Sequence, residues 1–136
     1  YFDYPKPVGL LKRLIAIATD DASLVMDFFA GSGTTAEATM ELNAEDGGRR
    51  KFILVQLPEP TEVDSLARAD GFATIADITR KRVSLAGDKV ASRVDGNSVD
   101  IGFRSFTLSE TNFSKWRLSS DVQVGALEQH LLSLRE

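Results

Sequence analysis

The chain has 136 residues, 43% of them hydrophobic, and carries a formal charge of −4 from 16 Lys and Arg against 20 Asp and Glu, which allows one small core and argues against this segment being the main surface that grips a phosphate backbone. The absence of cysteine excludes disulfides and thiolate metal sites, and the single histidine, His130, leaves too few nitrogen ligands for a zinc site. No apolar run is long enough to cross a bilayer and no basic-then-apolar leader opens the chain, so the expected setting is cytoplasmic.

From Pro5 to Ala18 the spacing of Val8, Leu11, Leu14, Ile15 and Ala18 predicts an amphipathic helix, with Pro7 near its first turn. Leu24 to Phe29 reads as a strand buried on both faces, ending in the loop Ala30-Gly31-Ser32-Gly33. A second helix is predicted from Thr34 or Thr35 to about Asn43, and a second buried strand from Lys51 to Leu57, stopped by Pro58 and Pro60. Strand, helix and strand in this order form a right-handed crossover. Thr74 and Asp77 form a capping pattern ahead of a third helix reaching about Val90, with Gly87 a point where it could end or loosen. Asp95-Gly96-Asn97-Ser98 is a turn signal, and Ile101, Phe103, Phe106 and Leu108 predict a third strand over 100–108. Residues 109–121 read as loop, and Val122 to Leu134 as a short amphipathic helix.

A strand, a glycine loop and a helix in that order make a corner suited to nucleotides and anions, because Gly31 and Gly33 allow close backbone approach and the helix start presents free N–H groups. A phosphate-cradling loop of the Walker type would end in Gly-Lys-Ser/Thr, whereas Thr34 and Thr35 follow Gly33 here. The dinucleotide pattern G-x-G-x-x-G/A is met by Gly31 to Ala36, so half of a dinucleotide-binding oxidoreductase stays open. Asp27 at the strand end would repel a pyrophosphate and suits a ligand that brings positive charge; the competing role for it is to cap the loop by accepting backbone N–H groups.

Asp27-Phe28-Phe29-Ala30-Gly31-Ser32-Gly33-Thr34-Thr35 resembles the S-adenosylmethionine-binding motif of DNA amino-methyltransferases, Asp-Pro-Phe-Ala-Gly-Ser-Gly-Thr-Thr, departing from it at Phe28. Tyr4-Pro5-Lys6-Pro7 and the helix after it resemble that family's Lys-Pro element. The order of the two is that of the beta class, in which the catalytic and target-recognition regions come earlier. The segments 52–59, 75–82 and 100–106 resemble the C-terminal part of type III restriction-modification methylation (Mod) subunits, so the likeness spans about residues 1–116.

The resemblance implies an α/β, partial Rossmann-like S-adenosylmethionine-dependent methyltransferase fold, with about three mainly parallel strands, flanking helices and the other half of the sheet lacking. It divides the chain into a cofactor-binding part over 1–60, a third helix and strand of the same domain over 61–108, and a C-terminal extension over 109–136. The implied cofactor-binding residues are Lys6, Pro7, Asp27, Phe29, Ala30, Gly31, Ser32, Gly33, Thr34 and Thr35, with Gln56 standing where many relatives place the ribose-binding acid and Glu59 as the substitute carboxylate. The implied reaction is methyl transfer to an exocyclic amino nitrogen, adenine favoured, of a flipped base. No Asp-Pro-Pro-Tyr-like motif occurs, so no catalytic residue is assigned and the chain alone is expected to be inactive. A chain that opens at Tyr1, without an initiator Met, is expected to be a piece of a longer protein, self-associating or marginally stable. A non-catalytic cofactor-binding or assembly module is the second alternative. Implied partners are DNA, mainly through upstream regions, a second methylation subunit and a restriction subunit. The triplets Arg49-Arg50-Lys51 and Arg80-Lys81-Arg82 read as solvated faces with phosphate contact as the alternative, while His130, Trp116 and Phe113 read as structural.

Overall fold

The structure, a computed structural model, describes residues 4–94 and 99–110. The predicted turn at 95–98, the C-terminal helix, Phe113, Trp116 and His130 lie outside the described residues. Residues 4–94 and 99–105 belong to one compact unit, and 106–110 are the described part of a second, without regular structure.

Pro7, extended at φ −63°, stands just ahead of helix α1 (Val8–Ala18). Val8, Leu11 and Ile15 fall on one stripe of that helix and pack against Ala38 and Leu42. Helix α2 (Thr34–Asp46) is buried nearly all round, lying between α1 and a later helix over Ile75–Ala91. Its interior suits this position: Ala36, Ala38 and Met40 are small or pliant, and Thr39 satisfies its own hydroxyl on Thr35 O at 2.8 Å. Gly47 closes it in the left-handed conformation, donating its N–H to Asn43 O.

Strands β1 (Leu24–Asp27) and β2 (Lys51–Leu54) pair in parallel, Leu24 beside Lys51 through Asp27 beside Leu54, with α2 as the crossover. Helix α4 (Ile75–Ala91) completes the layer, opened by a capping box between Thr74 and Asp77 as the sequence predicts. Val25, Phe52 and Leu54 point at the helices and join cores built on Ala38 and Leu42 or on Ala36, Met40, Val83, Ala86 and Val90.

Three expectations are corrected. Both strands were read as buried on two faces, but Leu24 and Met26 are each 59% exposed and Ile53 44%, because the helices that pack on the described sheet cover the opposite face. Residues 100–108 form no strand: two strands make the whole described sheet, and Phe103, Phe106 and Leu108 are exposed in irregular chain. Ile101 instead packs on the core, and Gly87, far from ending α4, lets Ile101 O come within 3.3 Å of where its Cβ would stand. Arg50 is buried rather than solvated or free for phosphate: its guanidinium meets Asp46 at 2.9 Å and Thr19 Oγ1 at 3.0 Å, and Asn43 bonds both its backbone groups.

Between β2 and α4 runs a loop holding the short helix α3 (Leu66–Ala69), capped by Ser65. Its two ends are joined by an antiparallel bridge of Pro60 with Thr74, and buried Thr61 donates its hydroxyl to Phe72 O at 2.7 Å. Among the described residues no helix is long and apolar enough to cross a membrane.

Candidate functional site

The sheet's carboxyl-end side is where the predicted residues gather. β1 stops at Asp27 because the next backbone turns: the Asp27 carboxylate accepts the Phe29 N–H at 3.1 Å on Oδ1 and the Thr35 hydroxyl at 2.6 Å on Oδ2. This is the loop-capping role weighed for Asp27, and it ties the strand end to the first turn of α2. Val55 continues beyond β2, receiving Ala30 N–H on its carbonyl at 3.1 Å and donating to Asp27 O at 2.8 Å. Gly31 and Gly33 take φ of 53° and 80°, the left-handed region open to glycine without penalty.

Gln56 serves the loop directly. Its Oε1 accepts the Gly31 N–H at 2.7 Å, while its Nε2 donates to Leu57 O. Ala30, Ser32, Thr34 and Thr35 are buried, whereas Phe28 and Phe29 are 62% and 80% exposed with ring centroids 5.1 Å apart. Phe28, Phe29, Gly31, Gln56, Leu57, Glu59 and Ile75 line one cleft of about 410 Å³. That size suits a small-molecule ligand. Among the described residues the lining offers aromatic surface, a carboxylate and amide groups, and neither Lys nor Arg.

Of the predicted residues, Asp27, Phe29 to Thr35, Gln56 and Glu59 thus share one corner. Pro7 stands just ahead of α1, and Lys6 is exposed, with no hydrogen bond or ion pair among the described residues.

From below, α4 supports the loop through side chains that the sequence did not single out for this purpose. The Thr79 hydroxyl donates to Gly31 O, and Arg82 donates from Nη1 to Ser32 Oγ. Arg82 also pairs through Nη2 with Glu37 Oε2 at 2.8 Å, and Lys89 holds Glu37 Oε1 at 2.8 Å. Burial tends to raise the Glu37 pKa, but the Lys89 and Arg82 hydrogen bonds and charges outweigh it and hold the carboxyl below its usual range. Within the second basic triplet Arg80, paired with Asp77, and Lys81 are exposed as the solvated reading has it, whereas Arg82 is half-buried.

The DNA methylase family matches residues 1–81, from the Lys-Pro segment through the glycine loop and cleft into α4. The chain belongs to that family. This DNA methylase chain is 43% identical over 105 residues to the type III restriction-modification enzyme StyLTI Mod subunit of Salmonella typhimurium, covering 77% of this chain and 16% of the relative. It is 45% identical over 103 residues to the EcoPI Mod subunit of Escherichia phage P1, 76% of this chain and 16% of the relative. It is also 41% identical over 87 residues to the type II methyltransferase M.KpnI of Klebsiella pneumoniae, 64% of this chain and 21% of the relative. The DNA methylase chain therefore spans about a sixth of the length of the Mod subunits it matches.

Proposed function

We propose that the intact protein is a site-specific, adenine-directed DNA methyltransferase of a restriction-modification system, and that this portion binds S-adenosylmethionine. The observation that carries the reading is the corner itself. Its strand-end carboxylate, Asp27, and the cleft's Glu59, aromatic rings and lack of Lys or Arg suit a cationic nucleoside ligand better than a pyrophosphate. Family membership likewise disfavours the oxidoreductase reading.

The donor set fits such a ligand. Gly31 brings backbone without a side chain to the cleft wall, Phe28 and Phe29 offer apolar surface for a purine, and Glu59 is the carboxylate for the ribose hydroxyls, since the Gln56 oxygen is already engaged by the Gly31 N–H. The backbone N–H groups around Ser32, Thr34 and Thr35 at the start of α2 suit the methionine carboxylate, and Lys6 and Pro7 complete the methionine end. S-adenosylmethionine supplies an electrophilic methyl group on a sulfonium centre. This chain's residues bind and orient; the groups that would draw on the amino protons of a flipped base belong, in this reading, to other parts of the intact protein.

In the same reading the two parallel strands are part of a larger Rossmann-like sheet in a cytoplasmic enzyme. Residues 1–60 supply its cofactor site, 61–108 continue that domain and 109–136 extend it. DNA, a second methylation subunit and a restriction subunit are its partners. Calorimetric titration of the intact protein with S-adenosylmethionine and with NAD tests the proposal. Binding of the first, weakened at least about tenfold by Asp27→Asn through loss of charge-assisted hydrogen bonds, is the expected result; binding of NAD alone would sink it.

A further inference from the structure

The glycine loop's own residues do not suffice to fix its shape. Ser32 is 4% exposed, and its hydroxyl lies between Arg82 and the Thr34 hydroxyl, 3.1 Å away. A guanidinium has no acceptor. The Ser32 oxygen therefore accepts from Arg82, and either hydroxyl serves as donor in the further bond between Ser32 and Thr34. The buried Ser32 hydroxyl is thus anchored from α4, 50 residues further along the polypeptide.

The other arm of the same guanidinium is locked by Glu37, whose side chain is only 10% exposed and which Lys89 grips from the far side. One planar fork therefore spans the loop and the first turn of α2, tying loop and helix start to each other. Thr79, one turn before Arg82 on α4, holds Gly31 O, and a Cβ on Gly33 would stand 3.0 Å from Val83 Cγ2. Three successive loop residues are thus backed by three positions of a single helix face.

We propose that Arg82 is a positioning residue for the ligand loop: by fixing the Ser32 hydroxyl against the Glu37 anchor it holds Gly31 to Thr35 in their binding shape before any ligand arrives. The part of this that concerns affinity rests on S-adenosylmethionine being the ligand; the part that concerns loop order does not. A side chain that donates to the loop only from behind needs no contact with the cofactor to govern how well it binds, because ordering the loop in advance removes an entropy loss from the binding step.

The test uses the intact protein and reads ligand-free hydrogen exchange at the Gly31 and Gly33 amides, both hydrogen-bonded inside the corner. Arg82→Met alone would leave Glu37 short of a partner, so it is made together with Glu37→Gln; Ser32→Ala is the second variant, removing the loop's end of the contact and leaving the ion pair. Lys89→Gln is the control, breaking the other Glu37 pair without touching the loop. Protection of the two glycine amides should fall about tenfold in both test variants, the scale of one hydrogen bond to a charged group, while amides in the last two turns of α2 and the control stay within about twofold. S-adenosylmethionine affinity should weaken by a similar factor in the test variants. Unchanged glycine protection in both test variants overturns the proposal, as does equal loosening in Lys89→Gln, which would show that charge balance around Glu37 is what matters. If the parent protein fails to bind S-adenosylmethionine, the function proposed above falls, and the ligand-free exchange still decides the role of Arg82.

Discussion

Gly33 joins the loop to α2 with φ +80°, and an added Cβ would lie 3.0 Å from Val83 Cγ2 and 3.1 Å from Thr79 Cγ2. Gly33→Ala therefore meets two penalties. A left-handed backbone costs an L-residue about 1–2 kcal/mol, and forcing a methyl group into packed side chains adds about 1–3 kcal/mol. Gly47 separates them, because its φ of +71° is similar while nothing lies within 4 Å of the position its Cβ would take. Gly47→Ala should show the backbone penalty alone, and the difference between the two variants should be the packing part, about 1–3 kcal/mol. Urea unfolding of parent and both variants measures this directly, with unchanged slopes confirming that stability is what moved. A Gly33→Ala variant no less stable than Gly47→Ala would refute the close seating of the loop on α4.

Other expectations follow from the charges and the open sheet face. Glu37 and Asp77 both titrate below their usual range when folded, Asp77 chiefly through the Thr74 hydroxyl and Glu37 through Lys89 and Arg82 against the opposing effect of burial. Depressed folded-state values mean that their stabilisation is complete above the unfolded carboxylate pKa of about 4. It is lost as pH falls through the lower folded values, so denaturant midpoints measured downward from pH 5 should drop, and drop less steeply in Glu37→Gln. Leu24, Met26 and Ile53 make an exposed apolar strip on β1 and β2, and the chain by itself should self-associate through it. Met26→Lys with Ile53→Lys should shift sedimentation toward monomer; a parent chain already monomeric with a cooperative melt would contradict this.

The sequence made the local order legible and left the cross-chain contacts hidden. α1, β1, α2, β2 and α4 are readable because each has a period, a cap or a stop within a few residues, as with Thr74 and Asp77 at the head of α4. The glycine corner is readable in part for the same reason, since the Asp27 contacts to Phe29 and Thr35 are local, whereas Val55, Gln56, Thr79 and Arg82 reach it from further along the chain. The third strand failed because alternation at 101–108 states only which residues share a face; a strand also needs a neighbour for its ladder, and the described sheet offers none there. Arg50, Arg82 and Glu37 were illegible for a different reason. A basic or acidic residue in a local window reads as surface, and the partners that hold these lie up to 52 residues away in sequence, as Lys89 is from Glu37.

The bridge between Pro60 and Thr74 has a consequence for how this region can vary. Its ends are fastened to each other by that bridge, by Ile75 N–H on Glu59 O and by the Thr61 hydroxyl on Phe72 O, so the chain between them closes on itself before rejoining α4. Residues 62–71 therefore behave as a cassette. Lengthening a loop whose ends are already held costs only about 0.6 kcal/mol per doubling. Val63 and Leu66, exposed on it, could be exchanged or displaced by insertion while Glu59 and Ile75 keep their places at the rim of the cleft.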